Sequence, residues 1–169
     1  MTPPSASQIR TPAITTPDTQ QTVSFLGELY HLRVTGDETG GAFAVVETTG
    51  RRGHGSPMHV HRSASETFVV LEGELRVIVD GREHLAGAGS AAVLPAGRPH
   101  GFVVTSDSAR YLTLHHGPAF ADFLVEASAG PDRLGEIAAR HGIDLVGPPL
   151  CRERDYLTGD SKYLLSSVK

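Results

Sequence analysis

GHGSPMHVHRSASETFVVLEG, running from Gly53 to Gly73, and GSAAVLPAGRPH, from Gly89 to His100, decide how this chain folds. Between them they place His59 and His61 two residues apart, Glu66 five residues on, and His100 behind a turn made of Pro95, Gly97 and Pro99. Side chains at i and i+2 of a strand share a face, so His59 and His61 project into one space. The polar run Arg62 to Ser65 reads as a short turn, after which a strand Glu66 to Leu71 pairs back beside the first with Glu66 facing the same interior. The reversal at Pro95–Pro99 delivers His100 from a third strand. Three imidazoles and a carboxylate gathered in this way form a metal-ligand set: His59, His61, Glu66 and His100. Unpaired buried ionisable groups are costly to keep without a metal, which weighs against a purely structural role for them.

Working outward, short strand-like pieces recur at regular spacing between turn residues, at Val23–Phe25, Glu28–Val34, Ala42–Thr48, Met58–His61, Glu66–Leu71, Leu75–Val79, Arg82–Leu85, Ala91–Leu94, Gly101–Thr105 and Arg110–His115. Asp80-Gly81 is a hairpin signal that returns Arg82–Leu85 beside Leu75–Val79. Such a series implies a sandwich or barrel. Phe68–Leu71 and Val77–Val79 are apolar on both faces, which calls for a covering element over the outside, either the C-terminal segment or a second subunit. After Gly117 the periodicity turns helical: Ala119–Ala127 places Phe120, Phe123, Leu124 and Ala127 on one side, and a second helix opens at Pro131 and stops at Gly142. Gly147-Pro148-Pro149 reads as the end of that unit. The division expected is therefore a flexible N-terminal arm (1–21), a β-barrel (22–117), a helical segment (118–149) and a tail (150–169).

The two blocks resemble the paired motifs of the cupin family, and the resemblance covers the middle third of the chain in a single copy. Seven spaced positions match together, whereas an isolated His-x-His would carry little weight. One position departs, since Val104 stands where the pattern often has Asn. The resemblance implies an all-β, cupin-type jelly-roll barrel with short C-terminal helices, one metal ion and a homodimer. The helix followed by Val-Gly-Pro-Pro is also similar to the C-terminal segment of small bacterial cupins related to quercetin dioxygenases. That likeness implies a metal-dependent dioxygenase acting on a small aromatic or enolic substrate, with dioxygen as co-substrate and Glu66 doubling as general base. Two other readings stay open: a non-redox isomerase, cyclase or lyase using the metal as Lewis acid, and a small-ligand binder without turnover. Glu66 is equally readable as a permanent ligand with no proton chemistry.

The N3O donor set suits a divalent Fe, Ni, Mn, Co, Cu or Zn ion and does not separate them. Alternation along the strands puts Phe68 and Val70 on the face of Glu66, and Phe102 and Val104 on the face of His100, giving an apolar substrate pocket around one charged centre. Ordinary barrel filling is the competing role for the two phenylalanines. His115 and His116 are adjacent, so only one can face inward, and neither fits the ligand spacing. His54 reads as a solvent-exposed loop residue, with a place at the pocket entrance as its other role; His31, His84 and His141 read as surface or helix-face residues. Arg51-Arg52 reads as a solvated turn.

Composition narrows the partners. A chain of 169 residues with a net charge of −4 and no basic block argues against nucleic acid. The single cysteine, Cys151, leaves no internal disulfide, and a reducing cytoplasm is the default location. No run approaches the roughly 20 apolar residues of a membrane span, so no membrane partner is expected.

Overall fold

A computed structural model of the chain describes residues 12–150. Cys151 and nearly all of the expected tail lie outside the described residues, as does the first half of the expected arm. Among the described residues, eleven strands form two antiparallel sheets. The first sheet runs β1 (Gln21–Phe25), β2 (Glu28–Val34), β3 (Phe43–Arg51), β10 (Ser108–His116), β5 (Glu66–Glu72) and β8 (Ala91–Leu94) in spatial order. The second runs β11 (Ile143–Pro149), β4 (Pro57–His61), β9 (His100–Val104), β6 (Glu74–Val79) and β7 (Arg82–Gly87). This is the all-β jelly-roll arrangement expected from the motif pair. A four-residue helix α1 (Gly36–Thr39), capped by Thr35 and Glu38, connects β2 to β3. Two longer helices follow the barrel, α2 (Ala119–Ala129) and, after a 3-10 turn at Pro131–Arg133, α3 (Leu134–Arg140). None of the described helices is long and apolar enough to cross a membrane.

Period-two alternation fills the barrel. Along β5 the residues Glu66, Phe68 and Val70 are buried and their neighbours only partly so, and Leu75 and Val77 do the same on β6. These meet Phe102, Val104 and Tyr111 in one apolar cluster. A second cluster lies where α2 and α3 close over the first strands, and includes Phe25, Leu32, Phe123, Leu124 and Ile137. Asp80 and Gly81 both take positive φ, the geometry of a two-residue hairpin turn, and β6 and β7 pair as the sequence implies.

Two expectations are corrected. The strand from Glu66 does not pair beside the His59–His61 strand: β4 pairs with β9 and β11, while β5 lies in the opposite sheet between β10 and β8. The carboxylate therefore reaches the histidines across the barrel and not along a ladder. Gly147-Pro148-Pro149 does not end a helical unit but belongs to β11, which pairs with β4 through Ile143↔His61 and Leu145↔His59. Proline is tolerated there because β11 is an edge strand, with one side free of ladder bonds. Of the coverings expected for the outer face of β5 and β6, the described part of the C-terminal segment packs elsewhere, α2 on β1 and β3 and α3 on β11.

The helical layer should contribute substantially to stability, because Leu124 is fully buried at its centre. Leu124→Ala should lower the unfolding free energy by about 2–5 kcal/mol, measured by urea denaturation. A loss near zero would mean that α2 does not pack on the barrel as described.

Candidate metal centre

The two sheets deliver the donors from opposite sides. On the second sheet His59 and His100 are direct cross-strand partners of β4 and β9, and His61 follows two residues after His59 on the same face. The turn before β9 is tied to β4 by the Gly97 N–H, which donates to the His61 carbonyl at 2.8 Å, with Gly97 at φ 76°. Glu66 opens β5 on the first sheet, and its Oε2 lies 3.1 Å from His100 Nε2, 3.4 Å from His61 Nε2 and 4.0 Å from His59 Nε2. His59 Nε2 and His61 Nε2 are 3.2 Å apart. All four residues are buried.

This geometry fits a metal ion. Ligand bonds of about 2.0–2.2 Å around one centre put neighbouring donor atoms roughly 3–4 Å apart, the spacing found here. One ligand atom from each of the four residues lies within 4.8 Å of every other. Tautomers point the same way. His59 Nδ1 sits 2.8 Å from the Pro57 carbonyl and His100 Nδ1 2.7 Å from the Arg98 carbonyl, so each Nδ1–H donates to backbone. Each neutral ring is then left with an Nε2 lone pair aimed inward. Lone pairs facing a carboxylate oxygen at such distances repel unless a cation or a proton lies between them.

Electrostatics follow from burial. Desolvation alone would raise the Glu66 pKa, but His115, His100 and His61 outweigh it and hold the carboxyl well below the usual range. Desolvation lowers His59 to about 4. His115 falls to about 3 for the same reason. In His100, burial acts downward but is outweighed by the Glu66 hydrogen bond and charge, so its pKa is raised.

His115 is the residue the spacing argument left out. It is 1% exposed, it stands opposite Glu66 in the β10–β5 register, and its Nε2 lies 3.3 Å from Glu66 Oε1. Its ring stacks on Phe120 of α2 at 3.6 Å and 15°. Alternation in the sequence favours the face of Leu112 and Leu114, whereas Tyr111, Thr113 and His115 are the buried series of β10, a choice that topology makes. His116 is exposed, as the adjacency of the pair requires. His54 is also corrected: it is not a solvent-exposed loop residue but contacts the Tyr30 hydroxyl at 3.1 Å and packs on Phe102, and burial lowers its pKa. Arg52 makes a 2.5 Å ion pair with Asp107.

A narrow cavity of about 70 Å³, partly continuous with solvent, reaches the site at His59 and Glu66. Its walls are mostly apolar, with Phe25, Leu26, Phe102 and Phe120 among them, and Tyr30 and Tyr111 supply polar atoms. Of the four pocket residues expected from alternation, Phe102 lines this cavity, whereas Phe68, Val70 and Val104 sit in the barrel cluster behind it. The Tyr111 hydroxyl is buried beside Thr48 and closes no hydrogen bond among the described residues. The cavity thus lies between barrel and helices, where alternation within the barrel strands alone could not place it.

Comparison with known proteins agrees with this architecture. Residues 47–115 match the family model for the cupin domain. Over 78 residues the chain is 36% identical to the quercetin 2,3-dioxygenase of Bacillus subtilis (strain 168); the match covers 46% of this chain and only 23% of that protein. Among solved structures, an RmlC-like cupin from Shewanella frigidimarina NCIMB 400 superposes with a TM-score of 0.56 at 22% identity, over 69% of this chain and 99% of that one. The polyketide cyclase RemF from Streptomyces resistomycificus gives 0.54 at 20% identity, over 63% and 80%. At these identities the solved structures show the fold.

The metal-free protein should lose stability on acidification. His59 and His115 have folded pKa values of about 4 and about 3, against roughly 6.5 in the unfolded chain. Between those limits the unfolded state binds protons that the folded state does not, so stability falls as pH drops from about 6.5 towards 4. Glu66, depressed, adds the same sign below about 4.5; His100, raised, opposes it near 6.5. Urea midpoints of chelator-treated protein should therefore decline between about pH 7 and pH 5, and a flat profile would contradict these assignments.

Proposed function

We propose that this chain, which carries a cupin domain, is a metal-dependent dioxygenase that oxygenates or cleaves a small aromatic, enolic substrate. The observation that carries the reading is the opening of the four-donor cluster, through His59 and Glu66, onto a chamber walled by aromatic and aliphatic side chains. A flat, mostly apolar molecule with one acidic oxygen suits such a chamber, since its rings lie against Phe25, Phe102 and Phe120 while the oxygen reaches the charged end. A sugar phosphate would need cationic side chains among the lining residues, and among the described residues no Lys or Arg lines the cavity. The 36% identity to a quercetin 2,3-dioxygenase supports the same substrate class, over a part of that protein's length.

His59, His61, Glu66 and His100 would hold the metal. When bound, a divalent ion in this set supplies a Lewis-acidic position for a substrate oxygen and for dioxygen. The rest of the work falls to the protein. Glu66, kept ionised by the imidazoles around it, accepts the proton of the substrate hydroxyl as the enolate forms. The unpartnered Tyr111 hydroxyl donates to a second substrate oxygen and fixes the ring orientation. The apolar walls exclude water, which protects the enolate from reprotonation. Both atoms of dioxygen end in the product, so no external reductant is needed.

Oxygen uptake tests the proposal. The metal-loaded protein given a flavonol should consume about one dioxygen per substrate, and Glu66→Gln should lose about 10²–10⁴-fold in kcat. Turnover that continues without oxygen would replace this reading with a non-redox isomerase, cyclase or lyase. Full activity in the Gln variant would remove the base role of Glu66.

A further inference from the structure

One buried titratable group at the centre has no role in the scheme above. His115 is fully enclosed, and neither of its ring nitrogens has a hydrogen-bond partner among the described residues. Buried polar atoms left in this state are uncommon and costly, so they point to an interaction completed only when a ligand is present. Its surroundings narrow what that interaction is. Strand register sets His115 directly opposite Glu66, and Phe120 stacks flat on the ring from the helical layer, so the imidazole is held in place from two sides.

Glu66 is divided by its neighbours. Oε2 faces His100, His61 and His59, whereas Oε1 faces His115 Nε2 at 3.3 Å, with an alignment that falls short of a hydrogen bond. His115 itself is not among the four residues whose donor atoms converge. Resting on the reading of those four as a metal site, we propose that His115 is a positioning residue: its Nε2–H donates to Glu66 Oε1 in the metal-loaded protein, leaving Oε2 alone for the metal. The carboxylate is then a one-oxygen ligand with a fixed orientation, and a coordination position that a two-oxygen carboxylate would fill stays open to substrate. Histidine and carboxylate here exchange their usual places in the outer shell of a metal site, where a carboxylate most often orients a histidine. Because Phe120 also lines the substrate cavity, the same contact ties the helical layer to the ligand geometry.

The test is a cobalt(II) titration of metal-free protein, read by binding isotherm and visible absorption, for wild type, His115→Phe, His115→Gln and His115→Met. His115→Phe keeps the stacking and removes the donor; it should bind cobalt about 10–100-fold more weakly, with an altered absorption spectrum, while the metal-free variant melts no lower than wild type. Gln retains a donor at about the position of Nε2 and should recover most of the affinity, whereas Met, of similar length, should not. That Gln–Met contrast decides the matter even if the Phe variant fails to fold. Wild-type affinity and spectrum in both Phe and Met variants would overturn the positioning role and leave His115 as core filling. Failure of the wild type itself to bind cobalt would instead remove the metal reading on which the proposal rests.

Discussion

A carboxylate that is 4% exposed stays charged only where its surroundings replace the water it has lost. Around Glu66 that replacement is a shell of imidazoles, three from the second sheet and one from its own, and the barrel is arranged so that they converge. The histidines lie under a matching constraint. Two of them spend their Nδ1 protons on backbone carbonyls at the strand starts, which commits their other nitrogens to the interior. Acceptors and an anion facing one another at 3–4 Å suit a cation or a shared proton at their centre.

The fold supplies this convergence because the site bridges two sheets. A ladder contact holds His59 against His100, the i and i+2 rule brings His61 alongside, and the sandwich places Glu66 across the gap. Apolar packing below, through Phe68, Val70 and Phe102, keeps the sheets apart at the spacing the donors need. Helices α2 and α3 close the other side and turn the mouth of the barrel into a chamber, so a single hydrophobic layer both stabilises the protein and shapes what can reach Glu66.

Much of this was legible in the chain. Spacing alone brought His59, His61, Glu66 and His100 together, because strand periodicity and turn chemistry are local properties. The hairpin at Asp80-Gly81 and the helix beginning at Ala119 were readable for the same reason. What escaped was non-local. The sheet to which Glu66 belongs, the register that puts His115 opposite it and the burial of His54 between Tyr30 and Phe102 are set by strands far apart in sequence. Strand β11 escaped because Gly-Pro-Pro is a local stop signal that an edge strand tolerates. Of the expected pocket residues Phe102 lines the cavity; other parts of its wall come from helices whose docking the strand pattern does not encode.

Everything at this centre turns on the four donors holding one metal ion. Elemental analysis of tag-free protein, wild type beside His61→Ala, tests it most directly. About one equivalent of a divalent transition metal per chain in the wild type, lost in the variant, is the result predicted, as expected for a ligand whose removal opens the set. No bound metal in the wild type, together with no rise in melting temperature on adding divalent Fe, Ni, Mn, Co, Cu or Zn, would contradict it.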